Sequence, residues 1–254
     1  MKSNTLPKGK KLLSIYFTAG YPSLDSTISI AKTLEESGAD FLEIGFPYSD
    51  PVADGPVIQE SSQVALQNGM NLHLLFEQLK DLRQSVSIPV YLMGYFNPVM
   101  QYGVENFCKS CQECGITGTI IPDLPMYEYE EIYKPIFEKY EISNIFLVTP
   151  QTSADRIKKI DNLSTSFIYL LSSNATTGKN LQVGNESESY FRRIQEMELD
   201  NPTIIGFGIS SKSTFDKATA YSDGAIIGSA FVKLLAEENY LQKIPQFISS
   251  IKEK

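Results

Sequence analysis

Glu43 stands at the centre of Phe41-Leu42-Glu43-Ile44-Gly45, a β-rich run in which alternate side chains face opposite ways. If Leu42 and Ile44 pack against helices, Glu43 points into the interior, where a carboxyl must be paired, neutralised or used. Burial raises a carboxyl pKa toward the range in which it can both give and take a proton, which general acid-base chemistry requires. A buried glutamate satisfied by neighbouring donors is the alternative, and parity alone does not separate the two. The loop that follows, residues 46–56, carries Asp50 and Asp54 among Pro47, Pro51 and Pro56. Proline stiffens such a loop at low entropic cost, so either aspartate could be presented over a site. Asp-Pro and Asp-Gly are also ordinary turn formers, and that reading stays open.

A second constellation lies toward the C-terminus, where Gly206-Phe207-Gly208-Ile209-Ser210-Ser211 follows one β-rich run and Gly228-Ser229-Ala230 follows the next. Glycines let the backbone approach an anion closely, and amides at a following helix start, with the Ser229 hydroxyl, can donate to phosphate oxygens. Absences narrow the chemistry further. The only histidine, His73, falls inside a helical stretch, which disfavours Ser-His-Asp catalysis and histidine-rich metal sites. No lysine ends a β-rich run, which disfavours a Schiff base; Lys179 lies in the long loop after the sixth run. Cys108, Cys111 and Cys114 are spaced for a metal, but on a helix each step turns the thiols by about 60° and no fourth ligand accompanies them. They are expected to be helix residues in a reducing compartment. What remains is a metal-free site that uses carboxylates on a phosphorylated substrate.

These residues need a frame to bring them together, and the chain supplies a regular one. Short apolar runs alternate with helical segments at 12–17, 40–45, 89–95, 118–121, 144–148, 166–171, 202–206 and 223–227. Eight such units close a (β/α)8 barrel, with sites at the C-terminal ends of the strands and phosphate sites after strands seven and eight. Leu24, Ile28, Ala31 and Leu34 recur at helical spacing after the first run, as the outer layer of a barrel requires. A doubly wound sheet would place a glycine-rich turn after the first strand, where Thr18-Ala19-Gly20-Tyr21-Pro22 stands instead. A single TIM-barrel domain over 1–254, with room for extra helices, is the expected fold.

At 254 residues, 42% of them hydrophobic, the chain can bury a sizeable core. The formal charge of −8 argues against binding nucleic acid or an anionic membrane, so a phosphate must be held by local geometry. No run of about 18 apolar residues exists to cross a membrane, and the faint leader-like start, Lys8 to Phe17, is too short and would remove the first strand.

Five blocks, Tyr16 to Pro22, Glu43 to Pro56, Asn97-Pro98, Pro122 to Pro125 and Gly206 to Ile209, resemble the tryptophan synthase alpha-chain family in order over nearly the whole chain. The resemblance implies retro-aldol cleavage of indole-3-glycerol phosphate to indole and glyceraldehyde 3-phosphate, without a cofactor and in the cytoplasm. It implies Glu43 as the acid-base, Asp54 on the indole nitrogen, Tyr169 in support of Glu43, and Tyr16 in the indole pocket. Thr177 and Gly178 match the mobile loop after the sixth strand, and Gly206, Gly208, Gly228 and Ser229 match the phosphate grip. A beta subunit carrying pyridoxal phosphate is the implied partner, in an α2β2 assembly, docked at Asp50, Pro51 and Asn97. Ser173 and Ala175 depart from the arginine and glycine common in the family, and the segment before Leu12 is short where relatives often begin with a helix. Three rival readings stand beside this one: another phosphate-binding barrel such as indole-3-glycerol phosphate synthase or a phosphoribosyl isomerase, a partner without catalysis, and a lyase that works alone. The synthase needs a lysine at a strand end, and none is present.

Overall fold

Every β-rich run forms a strand, and one run forms two. The strands are β1 (Leu12–Thr18), β2 (Phe41–Gly45), β3 (Val90–Met93), β4 (Gly118–Ile120) and β5 (Ser143–Ile145). They continue with β6 (Leu147–Val148), β7 (Ile168–Leu171), β8 (Thr203–Gly206) and β9 (Gly224–Ile227) in a computed structural model that describes residues 5–172 and 185–252. All adjacent strands are parallel, in the order β5-β4-β3-β2-β1-β9-β8-β7-β6. The two strands at the ends of that order are separated only by Phe146, whose carbonyl accepts from the Tyr169 N–H at 3.0 Å. β5 and β6 are therefore one stave broken at Phe146, which pairs with β4 on one side and β7 on the other. That closure gives the expected eight-fold βα barrel.

The helices that cover the sheet are α1 (Ser26–Ser37), α2 (Pro56–Gln67), α3 (Leu72–Leu79), α4 (Leu82–Ser85), α5 (Phe96–Tyr102), α6 (Val104–Glu113) and α7 (Met126–Glu128). After a π-helical turn at Tyr129–Tyr133 come α8 (Lys134–Lys139), α9 (Ala154–Leu163), α10 (Asn185–Glu196), α11 (Lys212–Thr219), α12 (Ser229–Leu235) and α13 (Tyr240–Ile251). Helix starts follow local chemistry: Asn71 and Ser153 cap α3 and α9 with side-chain oxygens, and Ser211 with Thr214 forms a capping box on α11. None of the described helices is long and apolar enough to cross a membrane.

Strand alternation divides the core into two layers. Leu13, Ile15, Phe17, Leu42, Ile44, Val90 and Leu92 face outward and pack with the helices. Leu12, Phe41, Tyr91, Ile120, Ile145, Phe167, Tyr169, Ile204 and Ile226 fill the barrel interior, joined by Leu6 from the N-terminal segment. Residues 5–11 form no helix; Leu6, 5% exposed, closes the bottom of the barrel instead. Cys108, Cys111 and Cys114 are buried free thiols in the outer layer, and burial raises all three thiol pKa values, which disfavours the reactive thiolate. His73 lies on α3 with its ring 4.6 Å from that of Tyr102, a packing contact.

Three rings form the interior floor. Phe41, Tyr91 and Phe167 lie with centroids 5.1 to 5.8 Å apart, and the Tyr91 hydroxyl is satisfied by Ser166 at 2.6 Å. Phe41→Ala removes the ring common to two of these contacts and is expected to destabilise the chain by about 3–5 kcal/mol. A urea titration that finds less than about 1 kcal/mol would show that the barrel collapses into the space.

Candidate active site

Glu43 projects from the middle of β2 one step above that floor, in register with Tyr16 on β1 and Tyr91 on β3. Its side chain is fully buried, and among the described residues neither carboxylate oxygen has a hydrogen-bond partner. Desolvation alone therefore pushes its pKa up to about 8. The alternative reading, a glutamate satisfied by neighbouring donors, fails on this geometry. Tyr169 lines the same cavity and is close enough to interact electrostatically, but it makes no hydrogen bond to Glu43.

Asp54 arrives from the loop after β2. Its N–H donates to the Pro51 carbonyl at 3.0 Å and its own carbonyl accepts from Gln59 at 2.8 Å, so turn chemistry and presentation of the carboxylate coexist. The Asp54 carboxylate accepts from the Tyr95 hydroxyl at 3.2 Å. Burial raises its pKa to about 6, and the bond from Tyr95 acts in the opposite direction. Asp50, in contrast, is exposed and is bonded to Ser49.

Both carboxylates line one cavity of about 280 Å³ with Tyr16, Met93, Tyr169, Phe207 and Ile226. Its far end is formed by Gly208, Ile209, Ser210, Gly228, Ser229 and Lys233. A second chamber of about 490 Å³ shares Tyr16, Asp54, Met93 and Phe207 and continues outward past Tyr48, Pro51 and Arg156. Burial raises the pKa of Tyr16, Tyr95 and Tyr169, so all three remain protonated donors.

The glycines at the strand ends have distinct tasks. Gly206 does not line the cavity; a Cβ there would sit 2.0 Å from the Tyr169 hydroxyl, so its missing side chain seats that ring. Gly45 does the same for Tyr16, with a Cβ meeting its hydroxyl at 2.2 Å. Phe207 and Gly208 are both left-handed, at φ 68° and 76°, and Ser172 holds the Phe207 carbonyl at 2.9 Å. A phenylalanine in this region costs on the order of 1–3 kcal/mol, and such strain collects at binding sites.

The residues missed in the sequence are Met93, Tyr95, Phe207 and Lys233. Lys233 was legible in principle, because it follows Ser229 by four residues and shares its helix face. Asn97 is exposed at the start of α5, with its Nδ2 donating to the Tyr48 hydroxyl at 3.2 Å, while Pro51 is half-buried. Thr177 and Gly178 lie outside the described residues, as do Ser173 and Ala175. Among the described residues no group of three His, Cys, Asp or Glu gathers to hold a metal.

Known proteins resolve what such a barrel is. The family model for the tryptophan synthase alpha chain matches residues 3–253. The chain belongs to the tryptophan synthase alpha chain family. It is 59% identical over 246 residues to the alpha chain of Flavobacterium psychrophilum, covering 97% of each. Among solved structures, the tryptophan synthase complex of Pyrococcus furiosus matches with a TM-score of 0.87 at 31% identity, over 96% of this chain and 99% of that one. The alpha subunit of Legionella pneumophila matches with a TM-score of 0.86 at 33% identity, over 95% and 91%. The activity of this alpha chain is accordingly a lyase reaction of tryptophan biosynthesis, the cleavage of indole-3-glycerol phosphate.

The unpartnered Glu43 has a thermodynamic signature. Its pKa of about 8 exceeds the unfolded value of 4.5, so between those values the folded chain keeps a proton that the unfolded chain has lost. Stability thus declines through this window as pH rises, by on the order of 1 kcal/mol per unit. Glu43→Gln removes that titration. Its advantage in thermal midpoint over the parent should widen from pH 5 to pH 8 and then level off; a constant difference would contradict an unpaired carboxyl.

Proposed function

We propose that Glu43 and Asp54 divide the chemistry of the cleavage, and that the backbone turn at Gly208 with the start of α12 holds the substrate phosphate. The observation that carries this reading is the placement of two carboxylates of different proton affinity in one cavity. Near pH 7, Glu43, with a pKa of about 8, is largely protonated, and Asp54, with a pKa of about 6, is largely ionised.

The reaction asks for both states. Glu43 gives its proton to carbon 3 of the indole ring, and positive charge then develops on the ring nitrogen. Anionic Asp54 stabilises that charge and takes a hydrogen bond from the ring N–H. The side-chain hydroxyl next to the ring loses its proton to the Glu43 carboxylate, its oxygen becomes the aldehyde oxygen, and the carbon-carbon bond breaks. Indole and glyceraldehyde 3-phosphate leave, and Glu43 has its proton again. No redox step or cofactor is needed to balance the atoms.

Phosphate binding at the far end supplies binding energy remote from the reacting carbons. Among the described residues no side chain caps α12, leaving its start open toward the cavity, whereas α11 is closed by its own capping box. Ser229 offers a hydroxyl there, and Lys233 brings a positive charge. Thr177 and Gly178 belong to this reading only through the family resemblance.

The partner in this reading is a beta chain in an α2β2 assembly, and the relative from Pyrococcus furiosus was solved as a tryptophan synthase complex. The surface around the loop after β2 suits docking: Asp50 and Asn97 are exposed, and Val52 at its tip is 83% exposed. Three free cysteines suit a reducing cytoplasm.

Glu43→Gln and Asp54→Asn should each lower indole release by at least roughly 100-fold, with the fold retained. Near-parental turnover in either would remove that residue from the mechanism. An added beta chain should accelerate indole release, and Asp50→Lys should weaken that activation while leaving basal cleavage unchanged. If the beta chain neither binds nor activates, a lyase that works alone becomes the better reading.

A further inference from the structure

Asp54 sits on a loop, and a loop needs an anchor if its carboxylate is to stay in one place. Both ends of that loop are held from one short stretch. The Ala53 N–H donates to the Tyr95 hydroxyl at 3.0 Å, and that hydroxyl donates to Asp54 Oδ2 at 3.2 Å. Two residues on, Asn97 Nδ2 donates to the Tyr48 hydroxyl at 3.2 Å, and the Tyr48 and Tyr95 rings lie 5.2 Å apart. The stretch is itself fixed, because the Phe96 N–H donates to Asp123 Oδ1 at 2.9 Å in the loop after β4. Tyr95 is only 9% exposed. Its hydrogen bond is the one that the Asp54 carboxylate makes among the described residues.

We propose that Tyr95 is the positioning residue for Asp54: its hydroxyl, oriented by the Ala53 amide, fixes the carboxylate in the cavity and favours its ionised form. The inference rests on the reading in which ionised Asp54 acts on the ring nitrogen. The donor chain from Ala53 through Tyr95 points toward the carboxylate, and such chains polarise so that the last bond is strengthened. Because Tyr95 takes Oδ2, Oδ1 stays without a partner among the described residues and can receive a ring N–H. A hydrogen bond to the charged form of an acid lowers its pKa, opposing the burial that raises it. The other groups that face Asp54 are Tyr16 on β1, Glu43 on β2 and Tyr169 on β7, while Arg156 and Lys233 line the two chambers. Asp123 lies behind Tyr95. A substitution of the Tyr95 hydroxyl alone leaves all of these in place.

Tyr95→Phe keeps the ring and its contact with Tyr48 and deletes only the hydroxyl. Indole release from the full chain is measured against pH for the parent, Tyr95→Phe, Asp54→Asn and the double variant, with the thermal midpoint of each. The acidic limb of kcat/KM, near pH 6 in the parent, should move up in Tyr95→Phe by about one unit, which lowers the ionised fraction at pH 7 about two-fold, and loss of the bond that positions the carboxylate should bring the total fall in turnover at pH 7 to roughly 10-fold. In the Asp54→Asn background the same change should cost no further activity. An unmoved limb, or an equal loss with and without Asp54, overturns the assignment of Tyr95 while Asp54→Asn remains inactive. Full activity of Asp54→Asn itself would instead overturn the reading on which the inference rests.

Discussion

The organisation of this barrel depends on one uncompensated group, the carboxyl of Glu43 at its centre. An ionised carboxylate with no hydrogen bond in a water-poor interior is disfavoured, so the site holds the neutral acid near pH 7. The surrounding fold keeps it that way. Below it, the rings of Phe41, Tyr91 and Phe167 close the interior, and the Tyr91 hydroxyl is turned to Ser166 and away from use as a donor to Glu43. Beside it, the tyrosines stand without reaching it. A single good donor at hydrogen-bond distance would stabilise the carboxylate, lower its pKa and, in the proposed mechanism, weaken its power to protonate carbon.

The tyrosines can stand there because the neighbouring strand ends have no side chains. Tyr16 occupies the space over Gly45 and Tyr169 that over Gly206, each where a Cβ would overlap the hydroxyl. Phe46 uses Gly94 in the same way, with a Cβ meeting its ring at 2.2 Å. These glycines therefore set the width of the barrel mouth, and aromatic walls follow from backbone choices one strand away. The left-handed pair at Phe207 and Gly208 completes the far wall by turning the chain back over the cavity.

Much of this is legible in the chain because the relevant periodicities are short. Alternation along residues 41–45 sets Glu43 opposite Leu42 and Ile44, so it faces inward once those two pack on the helices, and the eight apolar runs mark the staves with nearly correct limits. The break at Phe146 is not legible, since residues 144–148 read as one apolar run; only the pairing with two different neighbours shows it. Gly206 reads as part of an anion grip, whereas its place is taken by the Tyr169 ring, a contact between strands that no spacing within one strand reports. Tyr95 ends a run expected to extend through it, but β3 stops at Met93 and the chain turns into α5, so alternation no longer fixes its direction. The role of the N-terminal segment is hidden for a similar reason: nothing local to Leu6 says that it packs beneath a barrel formed by residues far along the chain.

The two carboxylates differ in what supports them, and that difference separates chemistry from control. Glu43 belongs to a central strand paired on both sides, so its position moves only if the sheet moves. Asp54 belongs to a loop whose tip is exposed and whose carboxylate is held, among the described residues, by a single hydroxyl. Barrel walls are close-packed and resist small displacements, whereas a loop held by a few hydrogen bonds can exchange between arrangements at modest cost. In the proposed reading, an event at the surface, at Asp50 or Asn97, therefore acts weakly on Glu43 as the acid-base group and strongly on Asp54 as the ion beside the ring nitrogen. On that proposal the cleavage rate is adjusted through the loop that carries Asp54, while the desolvated acid on β2 stays fixed in the barrel.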